Sequence, residues 1–241
     1  MVLLQAITFD FWRTLFHDPE PPVRRREIRA EALAHATGVS MERAVEALLH
    51  AEREFLEHHI REQRTLGPHD ALEMVSAYLH VSIAAHQERE LIRVFGEAIL
   101  EDSPIPIPGA LEAVEAAAAR YPVGVVSDSG ISPGSSLRQL LHRHGFTKHF
   151  RVLAFSDEVG VAKPQALMFQ TAAEGLEVEP QGLLHIGDLE MTDIAGAKRI
   201  GARAALFAGD NRRYLGNTTA DYTFTEWREF VELLPRLSMT N

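Results

Sequence analysis

Hydrophobic and polar positions along this chain follow two different rhythms. The stretch Ile7-Thr-Phe-Asp-Phe-Trp-Arg-Thr-Leu15 opens with apolar and β-branched residues that lead up to one carboxylate, Asp10. That pattern predicts a buried parallel strand ending at an acid, and ligands in open α/β sheets bind outside the carboxyl ends of strands. After a polar, proline-rich passage at His17-Asp-Pro-Glu-Pro-Pro22, the period becomes helical from Val23 to about Leu100. Met41, Val45, Leu48, Leu49, Phe55, Leu56 and Ile60 share one helical face, with Ser40 placed to cap it. Leu72, Val75 and Leu79 make a shorter stripe, and Leu91, Val94, Phe95, Ala98 and Ile99 another. About four helices are predicted here, with no strand between them.

The proline-rich passage Ser103-Pro-Ile-Pro-Ile-Pro-Gly109 leads into a regular alternation. Helices are predicted at Ala110–Arg120, Pro133–Gly145, Pro164–Leu176, Thr192–Ile200 and Glu226–Leu234. Strands fall between them at Val123–Ser127, Arg151–Phe155, Leu183–Ile186, Ala202–Phe207 and Tyr222–Phe224. Pro164 suits the first turn of its helix. Strands alternating with helices predict an α/β fold with a doubly wound parallel sheet, interrupted after its first strand by an all-helical insertion.

Composition narrows the function. The chain has 241 residues, 46% apolar and 24% charged, as in a soluble globular protein with room for a core and a smaller second unit. Its 24 basic and 34 acidic residues give a formal net charge of −10, which argues against a general nucleic-acid or anionic-membrane binder. An anionic substrate would need a local cation, either a lysine or a metal. With no cysteine there is no disulfide, zinc thiolate or thiol chemistry. No signal-peptide pattern and no membrane-length apolar run is seen, so a cytoplasmic enzyme is expected.

Three later strand ends carry polar residues. In Val125-Val-Ser-Asp-Ser-Gly130 the Ser127 hydroxyl ends a buried strand and could donate to an oxyanion. In Ser156-Asp-Glu-Val-Gly-Val-Ala-Lys163-Pro164 a lysine stands just before a predicted helix start, where both would attract an anion. In His185-Ile-Gly-Asp188-Leu-Glu-Met-Thr-Asp193 two carboxylates flank a strand-to-helix loop. Singly, each has an ordinary explanation as a turn or a solvated charge. Arg24-Arg25-Arg26 reads as a solvated helix start. The adjacent His58 and His59 lack the spacing of a zinc pair and are expected at the surface.

Taken together and in order, Asp10, Ser127, Lys163 and the Gly-Asp188…Asp193 motif resemble the haloacid dehalogenase superfamily. The resemblance covers nearly the whole chain. It implies a Rossmann-like core at 1–16 and 104–241, with a helical cap at 17–103 that closes over the site. It implies that Asp10 is a covalent nucleophile, that Ser127 and Lys163 hold the transferred group or orient Asp10, and that Thr14 and Asp128 join them around the substrate. Mg²⁺ would be held by Asp10, Asp188, Asp193 and the backbone carbonyl of Trp12. The implied activity is hydrolysis of a small-molecule phosphate ester through an aspartyl phosphate, without nucleic-acid or membrane partners; the oligomeric state stays open.

One position departs from the pattern. Phosphatases of this superfamily usually carry an acid/base Asp two residues after the nucleophile, where this chain has Trp12. The superfamily's dehalogenases also lack that acid, so a metal-free 2-haloacid dehalogenase is the alternative, and a non-catalytic regulatory relative a third. Against the dehalogenase, that branch has a Ser-Ser-Asn pattern near the loop where this chain has Asp188 and Glu190. Glu190, Asp128 and His17 are the candidate substitutes for the missing acid.

Overall fold

Ala6–Phe9 forms β1, a central strand in a sheet of six parallel strands. The computed structural model describes residues 3–63 and 65–237, except for the side chains of residues 56 and 59–61. The expected apolar positions Leu56 and Ile60 and the His59 side chain lie outside the described residues. The other strands are β4 (Val123–Ser127), β5 (Phe150–Phe155), β6 (Leu183–Gly187), β7 (Arg203–Phe207) and β8 (Tyr222–Phe224), in the order β5-β4-β1-β6-β7-β8. Each neighbouring pair is parallel. All residues of β1, β4 and β6 are buried, which explains their nearly continuous apolar runs.

Alternate residues of these strands feed two different cores. Ala6, Val126, Leu183, Ala204 and Leu206 pack with Met168, Phe169 and Ala172 of the helix Ala166–Gly175 and Ala197 of the helix Ala195–Arg199. The opposite face is aromatic. Phe9 and Phe207 meet Trp227 of the helix Trp227–Leu237 at ring-centroid distances of 5.9 and 4.7 Å. This is the α/β, Rossmann-like doubly wound arrangement expected from the alternation.

The chain divides into two compact units. The sheet unit comprises Met1–His17, Ile105–Asp128 and Leu141–Asn241; the helical unit comprises Asp18–Pro104 and Ser129–Leu140. The helical unit holds α1 (Val23–Thr37), α2 (Met41–Glu62), α3 (Pro68–Leu79) and α4 (Ala85–Glu101), around a core that includes Leu33, Leu48, Leu72, Val75 and Phe95. Ser40 caps α2, its Oγ accepting from Arg43 N at 3.4 Å. Gly38 ends α1 with a φ of 74°, a left-handed turn that favours glycine. Among the described residues no helix is long and apolar enough to cross a membrane.

Several expectations need correction. Residues 129–140 were expected in the core but group with the helical unit: Ser136 Oγ donates to Gly96 O at 2.9 Å, and Arg29 donates to Ser132 Oγ at 3.3 Å. The helix expected from Pro164 starts at Ala166, because Lys163, Pro164 and Gln165 form a turn closed by Gln165 N donating to Ala162 O at 3.0 Å. The Arg24–Arg26 run is not simply solvated. Arg25 is buried and pairs with Asp18, and Arg26 forks onto Glu52 at 3.0 and 2.7 Å; only Arg24 is exposed, beside Glu27 and Glu31. Two strands of two residues each, β2 (Phe16–His17) and β3 (Ile105–Pro106), pair antiparallel and had no sequence signal.

Candidate active site

The site is built at the carboxyl ends of β1, β4 and β6. Asp10 N donates to Ile186 O at 2.8 Å, extending the β1–β6 ladder one residue and fixing the Asp10 backbone. Across the sheet, β6 ends in Gly187 and Asp188, and a wide helical turn at Glu190–Ile194 brings Asp193 back over the strand end. Asp193 Oδ2 accepts from Leu189 N at 2.9 Å, closing that turn. Gly187 has a steric reason: a Cβ there would overlap the Asp193 carboxyl.

Lys163 joins these elements. Its Nζ donates to Asp10 Oδ1 and to Asp193 Oδ1, each at 2.6 Å, and all three side chains are buried. Asp10, Asp188 and Asp193 each offer an oxygen, and the three oxygens lie within 4.8 Å of one another. Three buried carboxylates thus meet, and two of them share one ammonium.

The acidities reflect that imbalance. Burial pushes the Asp10 carboxyl up to about 6; Lys163 opposes the shift and Asp193 adds to it. Burial, then the charges of Asp193 and Asp10, push Asp188 up to about 7. Asp193 is buried as well, yet Lys163 and the hydrogen bond from His185 hold it well below the usual carboxylate range. Burial alone would lower the Lys163 ammonium, but Asp10, Asp193 and Asp128 together hold it well above its ordinary value.

The remaining expected residues fall in several places. Ser127 ends β4, fully buried, its hydroxyl 3.3 Å from Asp128 O. Asp128 is half-buried and its Oδ1 accepts from Lys163 N at 2.9 Å. Thr14 is buried, with no hydrogen-bond partner for its hydroxyl among the described residues. Trp12 is half-buried, its ring edge against Phe11 at 5.1 Å. Two candidate substitute acids are committed elsewhere. Glu190 accepts from Thr218 Oγ1, Thr219 N and Thr219 Oγ1 at 2.5, 2.9 and 2.7 Å, so it secures the 218–220 turn. His17 belongs to the sheet unit rather than the helical insertion, and its Nδ1 lies 2.9 Å from Asp210 Oδ1.

Sequence reasoning missed two supports of this cluster. His185, fully buried in β6, lies 3.2 Å from Asp193 Oδ1 through Nε2. Asn211, in the loop after β7, donates from Nδ2 to Asp188 Oδ2 at 2.8 Å. His185 is hidden in an apolar strand pattern; only its place two residues before Gly187 hinted at a role.

The donor set suits a hard divalent cation, since every offered atom is a carboxylate oxygen and the local charge without one is negative. The chain is 27% identical over 208 residues to glyceraldehyde 3-phosphate phosphatase of Methanopyrus kandleri, covering 83% of this chain and 82% of that one. It is 28% identical over 130 residues to pyrimidine 5'-nucleotidase YjjG of Escherichia coli, covering 54% of this chain and about half (56%) of that enzyme. A solved 2-haloacid dehalogenase from Pseudomonas syringae superposes over 97% of this chain and 99% of that one with a TM-score of 0.73; at 21% identity that likeness shows the fold alone. The family model for haloacid dehalogenase-like hydrolases matches residues 4–201, and the chain belongs to that hydrolase family.

Proposed function

We propose that this hydrolase is a Mg²⁺-dependent phosphatase that acts on a small phosphorylated metabolite through an aspartyl phosphate on Asp10. The observation that carries the reading is the cluster of three buried carboxylates, Asp10, Asp188 and Asp193, two of which share the Lys163 ammonium. Burial first, and then like charges this close, which resist joint ionisation, push Asp10 and Asp188 up. Asp10, Asp188 and Asp193 would hold Mg²⁺, which when bound neutralises phosphoryl oxygens and lets the carboxylates ionise together. The Trp12 carbonyl is the fourth ligand proposed.

The chain's own residues then have separate tasks. An Asp10 carboxylate oxygen attacks phosphorus in line, the ester oxygen departs, and water hydrolyses the resulting acyl phosphate. Lys163 holds Asp10 in place and, with the Ser127 hydroxyl, neutralises the phosphoryl oxygens. Thr14 and Asp128 complete the surroundings of the substrate. Phosphatases among the sequence relatives support this reading.

Trp12 favours the second reading, a 2-haloacid dehalogenase. Its indole has no titratable proton, and displacement of halide from carbon by Asp10 requires neither an acid nor a metal. That reading leaves Asp188 and Asp193 without a countercharge beyond Lys163. The test is a panel of phosphate esters and 2-haloacids, with and without Mg²⁺, scored for phosphate and for halide. Phosphate release that needs Mg²⁺ is expected. Halide release in excess chelator would replace the phosphatase by the dehalogenase, and silence on every substrate would favour a regulatory relative.

A further inference from the structure

An alcohol leaves phosphorus easily only if its oxygen receives a proton, and general acid catalysis of this kind is worth about 10²–10⁴-fold. Trp12 has no proton to give at working pH. Lys163 Nζ is held between Asp10 Oδ1 and Asp193 Oδ1 at 2.6 Å each. His185 is fully buried, with Nδ1 3.0 Å from Thr8 Oγ1 and Nε2 3.2 Å from Asp193 Oδ1. Glu190 is fixed by Thr218 and Thr219, and His17 by Asp210.

Asp128 stands at a different strand end. It directly follows Ser127 at the carboxyl end of β4, the strand beside β1, and it is half-buried rather than sealed. Its Oδ1 accepts from the backbone N of Lys163 at 2.9 Å, so the lysine that holds Asp10 through its ammonium also fixes Asp128 through its main chain. We infer that Asp128 is the general acid and base of the phosphatase reaction, an inference that rests on the phosphatase reading. Burial pushes its carboxyl up to about 6 against the pull of Lys163, so a protonated fraction persists near neutral pH.

In the first step an Asp10 oxygen bonds to phosphorus and the phosphorus–oxygen bond to the alcohol breaks. The departing oxygen keeps that electron pair, takes the proton from Asp128 Oδ2, and leaves as a neutral alcohol. In the second step Asp128, now ionised, takes a proton from water as the water oxygen attacks phosphorus. The bond from phosphorus to Asp10 breaks, its electron pair returns to the Asp10 carboxylate, phosphate leaves, and Asp128 again carries its proton.

Asp128→Asn tests this, because the amide oxygen can still accept from Lys163 N while the acidic proton is gone. Rapid-quench kinetics with Mg²⁺ would compare p-nitrophenyl phosphate, whose leaving group needs no acid, with glycerol phosphate, whose leaving group does. On the aryl ester the variant is expected to release a burst of nitrophenol, stoichiometric with active sites, before a steady rate about 10²–10⁴-fold below wild type. On the alkyl ester the burst is absent, and Asp128→Glu, which keeps an acid, recovers turnover. Asp128→Asn acting on glycerol phosphate within about threefold of wild type would overturn the inference. So would equal losses on both esters with no burst, which mark a binding or structural role. Wild type inactive on both esters would reject the phosphatase reading and this inference with it, and the wild-type control alone distinguishes that case. Thermal unfolding of each variant verifies that the compared proteins are folded.

Discussion

Thr8 and His185 are register partners on the neighbouring strands β1 and β6, and Thr8 Oγ1 lies 3.0 Å from His185 Nδ1. The other ring nitrogen faces Asp193 Oδ1 at 3.2 Å. A carboxylate can only accept, so Nε2 carries the hydrogen there, and Nδ1 pairs with the Thr8 hydroxyl. A hydrogen-bonded chain therefore runs from the middle of β1 through His185 and Asp193 to Lys163 and back to Asp10. Burying polar groups in this way is costly unless they are paired, and here each named link is paired.

His185→Phe keeps the ring volume and removes both links. Loss of an oriented outer partner is expected to weaken Mg²⁺ binding about 10–100-fold, with a fall in kcat. His185→Gln can present an amide N–H to Asp193 and should recover most of both. Titration calorimetry with Mg²⁺ and steady-state kinetics check this. A Phe variant with unchanged metal affinity and kcat would make His185 a core residue only.

Asn211→Ala removes the donor to Asp188 Oδ2. The expected outcome is a similar drop of about 10–100-fold in Mg²⁺ affinity, with little change in the metal-free melting temperature. Direct metal titration of the two proteins is sufficient. Asp188→Asn should be more severe, weakening metal binding and turnover together.

Gly187→Ala forces a methyl group into the Asp193 carboxyl. Overpacking of this kind destabilises by about 1–3 kcal/mol, and here the strain falls on a candidate ligand. Thermal unfolding should show a lower midpoint and metal titration a weaker site. A fully stable Gly187→Ala protein with normal metal binding would mean that Asp193 moves without consequence.

The pH dependence of the metal-free protein follows from three raised carboxyls. Asp10 and Asp128 have folded values of about 6 and Asp188 of about 7, above the ordinary 3.8. Between those limits the folded state binds more protons than the unfolded chain, so stability falls as pH rises from about 4 to about 7. Asp193 has the opposite sign: its folded value is depressed, so its contribution is present above 3.8 and is lost only in stronger acid. Melting without metal should therefore occur at a higher temperature at pH 5 than at pH 7.5. Mg²⁺ should stabilise more at the higher pH, and its binding near pH 6 should release protons, measurable by calorimetry in buffers of different ionisation heat. Metal binding without proton release would contradict the shifted acidities.

Most of the fold could be read from the sequence because the elements differ in period: three helical stripes, then strands and helices in turn. The short pair Phe16–His17 and Ile105–Pro106 could not, since two residues have no period. The wide turn at Glu190–Ile194 is hidden because its second half, from Thr192, reads as the start of a helix that Asp193 suits. Asp10, Lys163, Asp188 and Asp193 were legible as polar residues at strand ends. Their meeting was legible only through a family resemblance, as Lys163 and Asp10 lie 153 residues apart in the chain. His185 was invisible because Leu-Leu-His-Ile reads as a buried strand, and its partner Thr8 lies 177 residues away. Asn211 sits in a polar loop, Gly-Asp-Asn-Arg-Arg, where nothing marks one residue over another.

The central claim is that Asp10 carries the phosphoryl group. The most direct measurement is acid quenching of the Mg²⁺-loaded protein during turnover of a phosphate ester, followed by peptide mass analysis. The expected result is one phosphoryl group on Asp10 in wild type and none in Asp10→Asn. That variant should remain folded, its melting point within about 4 °C of wild type, the shift expected from roughly 1 kcal/mol in a chain of this size. Phosphate release without label on Asp10, or undiminished turnover by Asp10→Asn, would contradict the account.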